Sequence, residues 1–149
     1  MEKDQSNLSS EEISRYARHI SLSEIGIKGQ TKLKKSSIAC IGTGGLGSPL
    51  LIYLAAAGIG RIGIVDFDVV EYSNLQRQIS HRTNSIGLLK TDSAKQHIRK
   101  INPFLRVCSH LKDESEHNIK LLDDFLLPIC DMQFDLLRLL RSDFFWMIE

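Results

Sequence analysis

The strongest constraint on the fold is a glycine-rich turn between two apolar runs. The turn follows Ile38–Ile41 and has three glycines in a dinucleotide-type spacing, Gly42-x-Gly44-x-x-Gly47. Glycines in such a turn allow a tight bend and bring backbone N–H groups close to a phosphate. The sequence then predicts a helix that ends before Gly58 and a second buried strand at Ile62–Val65. This order predicts an α/β fold, a Rossmann-like parallel sheet with flanking helices.

An acidic residue ends the second predicted strand. Asp66 lies 19 residues after Gly47, where a carboxylate can reach ribose hydroxyls while the helix N-terminus faces phosphates. The pattern indicates a nucleotide site whose default ligand is NAD. The alternative is a tight turn with a purely structural role.

Polar side chains follow this strand at the place where open parallel sheets bind their ligands. Arg77 can bind phosphate oxygens through two nitrogens, and the amides of Asn74 and Gln78 can orient a ligand. Lys90 is predicted to begin the next helix, where a cation opposes the helix dipole unless an anion lies between them. A phosphate would supply that anion. The alternatives are an ordinary surface turn for the polar segment and a solvent-facing lysine.

The remaining elements follow from periodicity and caps. Ser9 and Glu12 have the spacing of a capping box, which predicts a helix with Ile13, Tyr16 and Ile20 on one side. A loop is expected around Gly26, Gly29 and Gln30, followed by a short basic segment. The helix after Lys90 is expected to bury Ala94, Ile98 and Ile101, and Leu105–His110 is predicted to be a third strand.

The cations of the first helix include Arg18, which taken alone is interpreted as part of a solvated face. The overall charge is close to neutral, with 19 basic and 18 acidic residues, so no field draws the chain to nucleic acid or to a membrane. The three cysteines form no C-x-x-C pair, which argues against a disulfide framework and a zinc ribbon. Cys40, in the first predicted strand, is expected to be a buried thiol.

No segment has the pattern of a signal or transit peptide, and no apolar run is long enough to span a bilayer. The protein is therefore expected in the cytoplasm, or in an organelle stroma if it is organelle-encoded, and not secreted. The predicted organisation is a disordered N-terminus (1–8), a nucleotide-binding domain (9–131) and an apolar C-terminal tail (132–149). Residues 112–124 have helical spacing, and residues 125–130 read as a fourth strand that Pro128 weakens.

Six motifs occur in order along the first 110 residues. They are Arg15-Tyr16-x-Arg18-His19, Gly29-Gln30-x-Lys32-Leu33, Gly42-x-Gly44-Gly45-Leu46-Gly47-Ser48, Asp66-Phe67-Asp68, Ser73-Asn74-Leu75-Gln76-Arg77-Gln78 and Gly87-x-x-Lys90. Together they resemble the E1-like adenylyltransferases, which activate ubiquitin-like sulfur carriers. The similarity is greatest to the molybdopterin-synthase and thiamine-type branch.

The resemblance implies ATP with Mg²⁺ rather than NAD, and adenylation of the C-terminal glycine of a small sulfur-carrier protein ending in Gly-Gly. It also implies a homodimer, in which Arg18 reaches the site of the neighbouring subunit. The implied nucleotide residues are Gly42, Gly44, Gly45 and Gly47 as the cradle, Asp66 at the ribose, Asn74, Arg77 and Lys90 at the phosphates, and Gln78 in support.

Two departures from the family pattern affect the expected activity. Met132 stands where the family has a magnesium-binding aspartate, and only a shift in register would bring Asp131 or Asp135 there. The rest of the family's sheet and the two C-x-x-C pairs of its zinc site are also missing, which predicts a truncated chain without the zinc site. The alternative to an adenylyltransferase is a non-catalytic ATP-binding and dimerisation module. An NAD-dependent oxidoreductase is less favoured, because no substrate domain follows the glycine turn.

Overall fold

The computed structural model describes residues 8–110 of the 149-residue chain. Three parallel strands lie in the order β1-β2-β3. The strands are β1 (Ser37–Ile41), β2 (Arg61–Val65) and β3 (Arg106–His110), and the helices are α1 (Ser10–Arg15), α2 (Ala17–Ile20), α3 (Gly26–Lys35), α4 (Gly47–Ala57) and α5 (Lys90–Ile101). Two short 3₁₀ turns, Tyr72–Asn74 and Thr83–Ser85, lie between β2 and α5. The predicted Rossmann-like parallel sheet with flanking helices is confirmed.

The core lies between the sheet and the two helices that connect its strands. In register, Ile38 pairs with Ile62 and Ile62 with Val107. Leu51 of α4 and Ile98 of α5 are fully buried in the same cluster, which agrees with the predicted apolar face of α5. Burying one such side chain stabilises the folded state by about 1.5–3 kcal/mol relative to leaving it in water. The core therefore holds both helices against the sheet and fixes the carboxyl ends of the strands.

The first helix begins as predicted and then divides. Ser9 caps α1 in a capping box, because Glu12 N–H donates to Ser9 Oγ at 3.2 Å and Ser9 N–H donates to Glu12 Oε2 at 2.8 Å. The backbone leaves helical geometry at Tyr16, where α1 ends and α2 begins. Ile13 is 37% exposed while Tyr16 is 4% exposed. The expectation of one apolar face through Ile13 is therefore wrong, and Tyr16 is the residue that anchors this segment.

The loop expected around Gly26, Gly29 and Gln30 is a helix, α3. The side chain of Gln30 is fully buried, and its Nε2 donates to the Ala57 carbonyl at 2.9 Å while His19 Nδ1 donates to its Oε1 at 3.0 Å. These tertiary contacts outweigh the low helix propensity of the two glycines. The basic segment after Gln30 is thus the last part of a helix and not an irregular approach to β1.

A polar cluster joins the N-terminal helices to the ends of α4 and α5. Asn102 Nδ2 donates to Tyr16 Oη at 2.7 Å and to the Ala55 carbonyl at 2.8 Å. Gly58 ends α4 with a φ of +92°, and a Cβ there would lie 2.7 Å from the Tyr16 ring. Glycine is required because both the backbone angle and the close ring exclude a side chain. Tyr16 therefore lies at the C-terminal end of α4.

The helix predicted at 112–124, the strand at 125–130 and the tail at 132–149 lie outside the described residues, as do residues 1–7. Leu8, which the sequence assigns to the N-terminal segment, is buried. No helix within residues 8–110 is long and apolar enough to cross a membrane.

Candidate nucleotide-binding site

The loop between β1 and α4 forms a closed glycine turn. Gly42 has a φ of +85°, and its N–H donates to the Val65 carbonyl at 2.8 Å. A Cβ on Gly47 would lie 2.0 Å from the Gly42 carbonyl oxygen, so a larger residue cannot occupy this turn without moving the backbone. At Gly45 a Cβ would lie 3.6 Å from Arg77 Cδ, an ordinary contact. The aliphatic part of Arg77 therefore lies beside the glycine loop.

Thr43, which stands between Gly42 and Gly44, is the residue that fixes the loop. Its N–H and Oγ1 both donate to Asp66 Oδ2 at 2.7 Å. Its carbonyl accepts from Ser48 Oγ at 2.8 Å and lies 3.2 Å from His81 Nε2. Thr43 is fully buried. Asp66 binds its N–H and hydroxyl, and Ser48 and His81 bind its carbonyl. Sequence reasoning missed this residue, because no motif position identifies it.

His81 lies buried beneath the glycine loop. Its Nδ1 is 2.9 Å from Ser93 Oγ on α5. A carbonyl can only accept, so Nε2 carries the proton that is donated to Thr43, and the neutral ring accepts from Ser93 at Nδ1. His81 is only 5% exposed. It connects α5 to the loop.

Burial lowers the pKa of His81 from its ordinary value of 6.5. Because the unfolded chain then takes up a proton that the folded chain does not, stability should fall as the pH drops below about 6.5 towards the lowered pKa. Replacing His81 with Asn should remove this part of the pH dependence. Thermal unfolding of wild type and His81→Asn between about pH 8 and about pH 5 measures it. Parallel curves for the two proteins would contradict the assignment.

Cys40 is a buried, unreactive thiol beside the same loop. Its Sγ donates to the Gly42 carbonyl at 3.3 Å. Burial raises the pKa of the thiol to about 11, and the nearby negative charge of Asp66 adds to the effect. Cys40 is therefore protonated at neutral pH, and the expectation of a buried thiol is confirmed.

Asp66, the residue predicted to hold a ribose, is oriented by three hydrogen bonds. Besides the two donors on Thr43, the N–H of Asp68 donates to Asp66 Oδ1 at 3.0 Å. A carboxylate offers about four acceptor positions. The fixed carboxylate of Asp66 consequently keeps room for one further donor, such as a hydroxyl.

Lys90 begins α5, and its side chain is 8% exposed. The solvent-facing alternative is therefore wrong. Its Nζ lies 2.8 Å from Asp68 Oδ2, and its backbone N–H donates to the Asp68 carbonyl at 2.9 Å. The anion that the sequence requires beside this helix N-terminus is, within residues 8–110, the carboxylate of Asp68. The backbone of Asp68 in turn links Lys90 to Asp66.

The 3₁₀ turn at Tyr72–Asn74 positions the remaining predicted residues. Asn74 Oδ1 accepts from the Glu71 N–H at 3.0 Å, and Arg77 Nη1 donates to the Ser73 carbonyl at 3.3 Å. The side chain of Arg77 is exposed. Gln78 is 3% exposed, and its Oε1 has no hydrogen-bond partner in the described part of the chain. A buried acceptor without a donor is costly, and a ligand could supply the donor.

Arg18 lies away from the other predicted site residues of its own chain. It follows Tyr16, which contacts Gly58 at the C-terminal end of α4, whereas the glycine loop precedes the N-terminal end. The 11 residues of α4 give a separation of about 16 Å along its axis. The side chain of Arg18 is exposed and makes no hydrogen bond or ion pair with any other residue in the range 8–110. It therefore remains available to another molecule.

The region that would correspond to the family's magnesium-binding aspartate, residues 130–135, lies outside the described residues. Within residues 8–110 no group of three or more His, Cys, Asp and Glu side chains could hold a metal ion.

Comparisons with known proteins agree with this architecture. The model of the ThiF family matches residues 16–139. The chain is 53% identical over 105 residues to a probable adenylyltransferase/sulfurtransferase MoeZ of Mycobacterium tuberculosis, covering 70% of this chain and 27% of that protein. It is 58% identical over 97 residues to a probable molybdopterin-synthase adenylyltransferase of Porphyra purpurea, covering 65% of this chain and 25% of that protein. The chain thus spans about a quarter of the length of these relatives.

Among solved structures, the fold is similar to the tRNA N6-threonylcarbamoyladenosine dehydratase TcdA of E. coli in complex with ATP. The TM-score is 0.70 at 30% identity, and the match covers 78% of this chain and 47% of that one.

Proposed function

This chain belongs to the ThiF family, and we propose on that basis that it is an ATP-dependent adenylyltransferase. It would join AMP to the C-terminal glycine carboxylate of a small sulfur-carrier protein ending in Gly-Gly. The observation that carries the proposal is the packing of Arg77 against Gly45 of the glycine loop, beside the fixed carboxylate of Asp66. The proposal assigns residues 9–131 to a nucleotide-binding domain, and it places the protein in the cytoplasm or an organelle stroma.

The described residues fit ATP better than NAD. Two cations, Arg77 and Lys90, accompany the loop, and a triphosphate carries more negative charge than the pyrophosphate of NAD. The solved relative TcdA was determined with ATP. These features together favour ATP as the nucleotide.

The proposal gives each predicted site residue a role. The residues that would hold the nucleotide are Gly42, Gly44, Gly45 and Gly47 at the phosphates, Asp66 at the ribose, and Asn74, Arg77 and Lys90 around the triphosphate. Gln78 would support them, since its buried Oε1 awaits a donor. Mg²⁺ would accompany the triphosphate and reduce its negative charge.

The chemical difficulty of this reaction is the approach of two anions. A carboxylate oxygen forms a bond to the α-phosphorus, and the bond to the leaving pyrophosphate breaks with its electron pair. The guanidinium of Arg77 can neutralise charge on both groups, because it is exposed beside the loop and presents a planar fork of donors. Lys90 adds a second fixed positive charge, and the hydrogen-bonded loop holds these groups in place without reorganisation.

A second copy of the chain would complete the site. Arg18 lies at the opposite end of α4 from its own glycine loop, and no residue in the range 8–110 binds its side chain. A two-fold dimer in which the N-terminal helices of one chain approach the glycine loop of the other would bring Arg18 to the phosphates. We include this homodimer in the proposal.

ATP–pyrophosphate exchange tests the proposal directly. Labelled pyrophosphate should enter ATP only when a carrier protein ending in Gly-Gly is present, because the carrier carboxylate is the acceptor. A carrier lacking its last glycine is the matched control, and competition between ATP and NAD for binding identifies the nucleotide. Binding of ATP without exchange would instead support a non-catalytic ATP-binding and dimerisation module. Binding of NAD in preference to ATP would refute the proposal.

A further inference from the structure

Asp68 connects two residues of the proposed nucleotide site. Its N–H donates to Asp66 Oδ1 at 3.0 Å, and its carbonyl accepts from the Lys90 N–H at 2.9 Å. Its carboxylate also accepts from Lys90 Nζ at 2.8 Å. The backbone of Asp68 is thus held between the two residues, while its side chain makes a single ion pair.

The two members of this ion pair are unequally buried. The side chain of Lys90 is 8% exposed, whereas that of Asp68 is 52% exposed. A buried ammonium is costly without an anion, and the N-terminus of α5 adds positive potential at the same place. The carboxylate of Asp68 can return to water at little cost because it is already half solvated. Lys90 therefore needs an anion more than Asp68 needs a cation.

From this asymmetry we propose that Asp68 is an anion placeholder. Its carboxylate holds the ammonium of Lys90 in position while the site is free, and a nucleotide phosphate replaces that carboxylate on Lys90. The inference depends on the proposed function, because it concerns the same nucleotide site. Asp68 acts through Lys90 and is a positioning residue.

The placeholder competes with the phosphate for one ammonium group. Removing its charge should therefore strengthen ATP binding while weakening the free fold, since Lys90 would lose its anion. In Asp68→Asn the dissociation constant for ATP should fall about fivefold. The melting temperature of the free protein should fall, and the increase in melting temperature on adding ATP should grow. A purely structural role for Asp68 would lower the first temperature without changing affinity.

Calorimetric titration and thermal unfolding of the full chain with ATP provide the test. Asp92→Asn is the matched control, because Asp92 lies in the first turn of α5 and forms no ion pair in the described region. It should leave ATP affinity unchanged. In a Lys90→Met background, Asp68→Asn should no longer strengthen binding, because the competition requires the ammonium.

Each result separates the inference from the proposed function. If wild type binds ATP and Asp68→Asn binds it equally or more weakly, the placeholder is wrong while the proposed function stands. If wild type does not bind ATP, the proposed function fails, and tripolyphosphate then tests the placeholder by the same comparison. If Asp68→Asn then binds tripolyphosphate no more tightly than wild type does, the placeholder is wrong too. Asp68→Ser repeats the comparison if Asp68→Asn does not fold.

Discussion

A mixture of Arg18→Ala and Arg77→Ala chains should recover about a quarter of the wild-type ATP–pyrophosphate exchange. Each variant alone should lose about 100-fold, the usual cost of removing a charge-stabilising donor. If two-fold dimers exchange subunits freely, about half of the dimers in an equimolar mixture of the two variants are heterodimers. Each heterodimer has one site with both arginines intact and one site with neither.

The recovery depends on where the two arginines lie in the folded chain. Arg77 lies against Gly45 of its own glycine loop, whereas Arg18 follows Tyr16 at the far end of α4. If each site takes Arg77 from one chain and Arg18 from the other, the two defects are complementary. Measurement of exchange at equal concentrations of the two variants, after dissociation and reassociation, checks the expectation.

A second mixture controls for subunit exchange itself. Arg77 lies beside the glycine loop, and Lys90 is linked to the same loop through Asp68 and Asp66 of its own chain. Heterodimers of Arg77→Ala and Lys90→Met would therefore have one defect in each site. This mixture should show no recovery. Equal recovery in both mixtures, or none in either, would contradict the role of Arg18 in a neighbouring site.

The positions of β1, α4 and β2 could be predicted because local signals and tertiary packing agree there. An apolar run, a glycine turn and an apolar helix that ends at Gly58 each have one physical interpretation. The location of α3 could not be predicted, because two glycines in ten residues favour a loop. Its helix depends on the buried contacts of Gln30 with Ala57 and His19, which are distant in sequence.

In the candidate site too, some features follow from local sequence signals and others depend on contacts between distant residues. The spacing of the glycines and Asp66 predicted the location of the loop, and Arg77 lies beside Gly45 of that loop. The hydrogen bonds that hold the loop involve Thr43 and His81, 38 residues apart, and single residues of these types carry no sequence signal. Similarly, the need of Lys90 for an anion was visible in the sequence, but its partner Asp68 was not. The pairing of two charges that are 22 residues apart depends on the folded geometry.

Replacing Gly47 with Ala should destabilise the glycine loop and abolish ATP binding. The new Cβ would lie 2.0 Å from the Gly42 carbonyl oxygen, a backbone atom that cannot rotate away. Gly42 is itself held by the hydrogen bond from its N–H to Val65, so the loop must move as a unit and disturb the contacts of Thr43 with Asp66. Such overpacking costs about 3 kcal/mol of unfolding free energy.

Gly45→Ala is the matched control, because it adds the same methyl group two residues away. Its Cβ would meet only the flexible side chain of Arg77, at 3.6 Å, so the unfolding free energy should change by about 0.5 kcal/mol or less. Denaturant unfolding of both variants measures the difference, and calorimetry with ATP shows whether the Gly47→Ala protein still binds. If Gly47→Ala unfolded at the same denaturant concentration as Gly45→Ala and bound ATP normally, the loop would have freedom to accept a side chain. The close contact between Gly47 and Gly42 would then not be what restricts this turn to glycine.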